Sequence, residues 1–190
     1  FLLNYHMLKK IFLFSLAITS VSSDAQIFPI QDYGAVGDGS TVNTTAIQQA
    51  IDTCHSAGGG TVQIANGTFL IGTILMKSHV HLQIDSGAEL KGSGALADYP
   101  IIPSPTPSAT QSYVQRGFIY AENVEDISFS GKGTFNGNGL STPFVTSSNR
   151  VFGFRLYNCR NVRYEDLTLK NSAFWMMHNF NVDTLYMNNL

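Results

Sequence analysis

Charge is scarce in this chain, and no sign of charge dominates it. Of its 190 residues, 11 are Lys or Arg and 13 are Asp or Glu, for a net charge of −2. No basic run stands out, so the electrostatic footprint of a nucleic-acid binder is missing. Cysteine is nearly absent as well. Cys54 and Cys159 lie far apart in sequence, too few to make a disulfide framework, and two buried free thiols are expected. The apolar run IFLFSLAI at 11–18 is too short to span a bilayer. Gly58 to Gly60 follow a helical pattern instead of preceding one, and no Gly-Lys-Ser/Thr is present, which excludes a phosphate-binding loop. Low charge does not mean disorder here. Apolar residues make up 44% of the chain, enough to bury a core.

Residues 1–25 read as upstream sequence followed by a secretory signal peptide. Lys9 and Lys10 precede the apolar run, and Ser23 and Ala25 supply small residues before Gln26. Cleavage near Ala25–Gln26 is expected, with a secreted or periplasmic protein as the product. The remaining residues, 26–190, form one domain.

What is present is repetition. VQIANGTFLIG at 62–72, LQIDSGAELKG at 82–92 and ISFSGKGTFNG at 127–137 share a pattern. Val62, Leu82 and Ile127 align, then Ile64, Ile84 and Phe129, then Leu70, Leu90 and Phe135. Gly72, Gly92 and Gly137 close the copies. Weaker copies follow at Val162 and Tyr164 and at Leu185 and Met187. Alternation of apolar residues means strands with one buried face, and Asn66-Gly67, Ser86-Gly87 and Gly131-Lys132-Gly133 supply the turns. A unit of about twenty residues cannot bury its own apolar face, but stacked copies can. The expected fold is an all-β, right-handed parallel β-helix. A β-sandwich has no reason to repeat at fixed spacing.

Such a column needs caps. Asn43 or Thr44 can cap a helix whose stripe is Ala46, Ile47, Ala50, Ile51 and Cys54. No comparable element closes the other end: the sequence stops at Met187-Asn188-Asn189-Leu190 in mid-coil, so truncation at the C-terminus is expected, with further coils to follow. Between Gly94 and Gln115 the periodicity lapses, and prolines at 100, 103, 105 and 107 rule out a central strand. This loop either walls a cleft or is a plain surface excursion.

The stretches DYGAVGDGSTVNTTAIQQAID, GGGTVQIANGTFLIGTI and HVHLQIDSGAELKGS resemble the N-terminal coils of pectin-degrading β-helix enzymes. ISFSGKGTFNGNG and NCRNVRYEDLTLKNSAFWMMH are similar to glycoside hydrolase family 28, the polygalacturonases. The resemblance covers roughly residues 30–190. It implies hydrolysis of α-1,4-galacturonosyl bonds in pectin with inversion, by one acid carboxyl and one base carboxylate set apart to admit water. It also implies a pectic polysaccharide as partner, no cofactor, and a monomer. The family's Asn-Thr-Asp, Asp-Asp, His-Gly and Arg-x-Lys motifs are all missing here. No catalytic residue is therefore expected in this chain, and the first motif is expected soon after residue 190. The alternatives are a polysaccharide lyase on the same fold, a hydrolase of rhamnogalacturonan or xylogalacturonan, and a non-catalytic carbohydrate-binding or tailspike-like solenoid.

Two residues are candidate substrate contacts. Trp175 offers an aromatic face to a sugar, and His178 an imidazole to a hydroxyl or carboxylate; packing at a coil corner explains both equally simply. His79, His81 and Asp85 could suggest a metal, but an outward polar sheet face accounts for them, and no metal is expected. Glu125-Asp126 and Glu165-Asp166 recur at coil edges. Adjacent strand positions face opposite ways, so each pair is expected to diverge. Asp32 and Asp38 read as turn residues, and Asn123, Asn158 and Asn161 as members of asparagine ladders.

Overall fold

The structure is a computed structural model, and it describes residues 26–106, 114–144 and 146–190. The signal-peptide expectation, Pro107, and the upstream residues lie outside these. Fifteen strands and one α-helix make up the described fold. The first turn holds β1 (Ile27–Pro29), β2 (Asp38–Val42) and the helix α1 (Thr44–Ser56). The next coil holds β3 (Gly60–Ile64), β4 (Gly67–Ile71) and β5 (Ile74–Leu75). Then come β6 (Val80–Ile84), β7 (Ala88–Gly92) and β8 (Gly117–Glu122), followed by β9 (Glu125–Ser130), β10 (Thr134–Asn136) and β11 (Phe152–Tyr157). The last strands are β12 (Arg160–Glu165), β13 (Thr168–Lys170), β14 (Met177–Phe180) and β15 (Asp183–Asn188).

Each strand pairs in parallel with its equivalents one coil away. The first sheet runs β1-β3-β6-β9-β12-β15, the second β2-β4-β7-β10-β13, and the third β5-β8-β11-β14. This is the right-handed parallel β-helix, three-sided in cross-section. Register stacks like on like through the core. Phe28, Val62, Leu82, Phe129 and Tyr164 form one inward row. Phe69, Leu90, Phe135 and Leu169 form a second, and Ile74, Ile119, Phe154 and Met177 a third. Aromatic rings bridge the rows: Phe129 stacks on Tyr164 at 5.0 Å and meets Phe154 edge-on at 4.9 Å. The buried Tyr164 hydroxyl donates to Asn179 at 3.0 Å, which removes the cost of enclosing it.

Two sequence alignments shift. Leu82 faces Phe129, not Ile127, a slip of two residues that keeps every side chain on its own face. Leu90 faces Phe69, not Leu70. The turn before β4 is one residue shorter than the turn before β7, which moves the phase by one and leaves Leu70 pointing outward. The third sheet leaves no alternating pattern in the sequence, and the cause is physical. Every residue of β11 is buried, as is nearly all of β8, so no alternation marks them.

The glycines that close β4, β7 and β10 make room for neighbours. A Cβ on Gly72 would meet the Asp98 carbonyl, one on Gly92 the Phe118 ring, and one on Gly137 the Asn171 carbonyl. Both cysteines are free and buried, as expected.

The helix closes the column through side chains. Thr44 Oγ1 accepts from Gly72 N–H at 2.7 Å. The Gln48 amide donates to Leu75 O at 3.0 Å and accepts from Leu75 N–H at 2.9 Å, and His55 Nδ1 lies 2.9 Å from Ser78 O. The Gln48 pair acts as a missing strand for β5, the edge of the third sheet. Asn43 stands at the N-cap position, but its side chain makes no cap bond. It is turned to the Val36 amide and to the Val36 and Thr41 carbonyls.

Residues 100–106 of the proline-bearing loop pack back on the column. Arg155 Nη1 donates to Ile102 O at 2.7 Å, and Ser104 Oγ to the Tyr157 hydroxyl at 3.1 Å. The loop thus straps the outer face of the third sheet.

Candidate functional site

Trp175 and His178 lie at the end of the loop between β13 and β14 and at the start of β14. The structure brings them together, with ring centroids 6.1 Å apart. Trp175 is 52% exposed and stacks on Phe174 at 5.7 Å with an interplanar angle of 12°. It therefore offers a fixed, open aromatic face. His178 is half-buried among Phe152, Tyr157 and Phe180. In register it sits beside Arg155. Burial, and then the Arg155 charge, push its pKa below the ordinary histidine value, so the ring is neutral at neutral pH. Its Nδ1 is enclosed with no hydrogen-bond partner. A neutral imidazole can serve a sugar hydroxyl; it brings no positive charge to a carboxylate.

Arg155 supplies that corner's rigidity. It is fully buried, donates to the Tyr157 hydroxyl and Ile102 O, and lies 5.2–5.7 Å from the Tyr157, Tyr120 and Phe152 rings.

The second sheet carries polar residues that sequence reading passed over. Its outward rows are Thr68, Glu89, Thr134 and Thr168, and Leu70, Lys91, Asn136 and Lys170. Lys170 Nζ lies 3.3 Å from Glu89, and Asn136 donates to Glu89 at 3.0 Å. Burial alone raises the Glu89 pKa, but the Asn136 and Lys170 hydrogen bonds and the Lys91 charge outweigh it and leave a net depression. Glu89 thus stays ionised, the wrong state for a proton donor. The signal was available: in AELKG, Glu89 and Lys91 occupy the alternate, outward positions. Beside this sheet, the loops before β11 and β14 enclose a cavity of about 370 Å³ lined by Leu140, Phe144, Arg150, Asn171 and Ser172 among others.

The remaining candidates sort into inter-coil contacts. His81 Nδ1 is 2.8 Å from Ser128 Oγ, and Asp85 accepts from Gln63 and Gln83. Asp166 accepts from Asn189, and Asn158 from Asn181, both at 2.7 Å. The expectation that Glu125 and Asp126 diverge fails. Asp126 has φ of 54°, which breaks strand alternation, and both carboxylates reach His79, at 4.0 and 3.2 Å.

Strand order and register together define a right-handed parallel β-helix of three sheets. The sequence signature described as Rhamnogalacturonase A/epimerase, pectate lyase-like, matches residues 27–189, and the chain belongs to that family. It is 33% identical over 128 residues to the exo-poly-α-D-galacturonosidase of Dickeya chrysanthemi, covering 64% of this chain and 21% of that protein. It is 34% identical over 154 residues to plasmin and fibronectin-binding protein A of Streptococcus pneumoniae, covering 75% of this chain and 20% of that one. The family 28 exopolygalacturonase of Yersinia enterocolitica superposes with a TM-score of 0.74 at 26% identity, covering 86% of this chain and 38% of that chain. The chain thus spans about a fifth of the two curated relatives.

Proposed function

We propose that the chain carries the N-terminal coils of a secreted or periplasmic polygalacturonase-type glycoside hydrolase. In this reading it hydrolyses α-1,4-galacturonosyl bonds in pectic polymers with inversion and works as a monomer without a cofactor. The observation that carries the reading is the likeness to the Yersinia exopolygalacturonase over 86% of the chain. Inversion requires an acid and a base carboxyl roughly 6.5–9.5 Å apart. Glu89 is held ionised by Asn136 and Lys170, and Glu125 is engaged by Arg160, so neither serves as the acid. In this reading the catalytic carboxylates lie outside these coils. Trp175 and His178 are the substrate contacts on this chain, one stacking on a sugar face and the other bonding a hydroxyl.

The test is the whole gene product on polygalacturonate. Release of reducing ends, with proton NMR showing the anomer inverted, is the expected result. An unsaturated, ultraviolet-absorbing product would mean a lyase, and cleavage confined to rhamnogalacturonan or xylogalacturonan would move the substrate. A second reading rests on the 34% identity to plasmin and fibronectin-binding protein A: a binding solenoid without catalysis. No sugar release, together with retention on immobilised fibronectin, would select it.

A further inference from the structure

The group at the corner where the chain enters the first sheet fits neither reading, and it belongs to no step of pectin cleavage. His79 ends the turn into β6, and Glu125 and Asp126 open β9 in the next coil. The His79 N–H donates to the Glu125 carbonyl at 2.9 Å, so the two coils are locked in register at this point. His79 and Asp126 both have left-handed φ, 65° and 54°. That conformation aims the two side chains at one place. One ligand atom from each of His79, Glu125 and Asp126 lies within 4.8 Å of the others. His79 Nδ1 faces Asp126 Oδ2 at 3.2 Å, and Nε2 faces Glu125 Oε1 at 4.0 Å. The second oxygen of each carboxylate is tethered elsewhere. Asn161 donates to Asp126 Oδ1 at 2.6 Å, and Arg160 binds Glu125 Oε2. The tethers orient the free oxygens toward the imidazole, as outer partners orient metal ligands. A polar recess of about 380 Å³, lined by Ser78, Asn123, Glu125, Asn158 and Arg160 among others, adjoins the group and leaves room for coordinated water.

We propose that His79, Glu125 and Asp126 form a binding site for a first-row transition dication, with Zn²⁺ its natural occupant. One imidazole nitrogen and two carboxylate oxygens are a nitrogen–oxygen set suited to zinc, which is held at about 2.0–2.2 Å with water completing the shell. Calcium needs six to eight oxygens, which this group does not offer. The bound ion joins two consecutive coils, so its effect is a cross-coil staple that stabilises the folded column by mass action. Arg160 is the competitor: its guanidinium neutralises one of the two carboxylates that the ion requires.

The experiment is calorimetric titration and thermal melting of the full chain, without an added histidine tag, against zinc chloride and calcium chloride. One zinc per chain and a melting temperature that rises with zinc are expected. His79→Asn and Asp126→Asn both tolerate left-handed backbone, so they keep the fold, which circular dichroism checks; each weakens zinc binding at least about tenfold. Arg160→Gln tightens it, because the competing cation is gone. A merely structural cluster would not produce that gain. No heat with zinc, unchanged affinity in His79→Asn, unchanged or weaker affinity in Arg160→Gln, or calcium binding as tight as zinc would each overturn the assignment.

Discussion

Gln48 is the most exacting test of how the column is closed. Its amide makes two reciprocal bonds to the backbone of Leu75, doing what a neighbouring strand would do. Each such bond contributes about 0.5–1.5 kcal/mol net. Leu75 is 42% exposed, so water replaces part of what is lost, and Gln48→Ala is expected to cost about 1–2 kcal/mol. In a chain of this size that is a fall in Tm of about 2–8 °C. Gln48→Glu discriminates further. It keeps an acceptor for the Leu75 N–H but sets a carboxylate against the Leu75 carbonyl and beside Asp52, to which Gln48 donates at 3.1 Å. That variant is expected to be less stable than the alanine variant at neutral pH, and to recover as acid protonates the new carboxyl. Urea denaturation read by circular dichroism is the assay, with the midpoint shifting and the m-value unchanged. Light scattering should rise in both variants, because the freed edge of β5 can recruit another chain. Equal midpoints for all three proteins would refute the idea that side chains seal this edge.

Arg155→Ala removes a buried side chain and its bond to Ile102 O, and it should cost about 3 kcal/mol while speeding hydrogen exchange in residues 100–106. Thr184 is a β-branched residue at φ of 60°, one coil beyond the left-handed Asn161; Thr184→Asn should stabilise by about 1 kcal/mol in a urea melt. The folded-state pKa of His178 lies below its unfolded value of about 6.5, so the unfolded state binds more protons as acid is added. The stability tied to neutral His178 is complete above about pH 6.5 and falls as pH drops toward the folded pKa. His178→Gln should therefore flatten the acid limb of a Tm-versus-pH curve; an unchanged slope would refute the burial argument.

The solenoid was legible because its chemistry repeats. Val62, Ile64, Leu82 and Ile84 alternate with outward polar residues, and an inward row is a statement about every coil at once. The third sheet was not legible for the converse reason. In FGFRLY of β11, Phe154 and Leu156 point into the core while Phe152, Arg155 and Tyr157 cluster with rings and the strap outside. A strand covered on both faces loses its period. The variable loops before β8, β11 and β14 then hide its spacing. Trp175 and His178 were visible as residue types, but their mutual contact, and the effect of Arg155 on His178, depend on β11 and β14 pairing in register.

The corners explain the one prediction about neighbouring acids that failed. A three-sided coil must turn sharply several times per circuit, and each turn asks some residue for left-handed backbone. Glycine meets this at Gly67, Gly87 and Gly131. Elsewhere, apart from His79 and Thr184, the chain uses Asn or Asp: Asn123, Asn158 and Asn181 on the way into the first sheet, Asp126 and Asn161 just inside it, and Asp166 and Asn189 on the way out. These residues tolerate the conformation better than other side chains. They also gain something glycine cannot, since Asn161 bonds Asp126, Asn181 bonds Asn158 and Asn189 bonds Asp166 across the coils. An acid at such a corner is therefore first a turn residue and a rung of a ladder. The rule that adjacent strand residues face apart does not reach it, because its backbone is not extended. Asp126 obeys the corner, Glu125 obeys the strand, and the two meet on His79 for that reason.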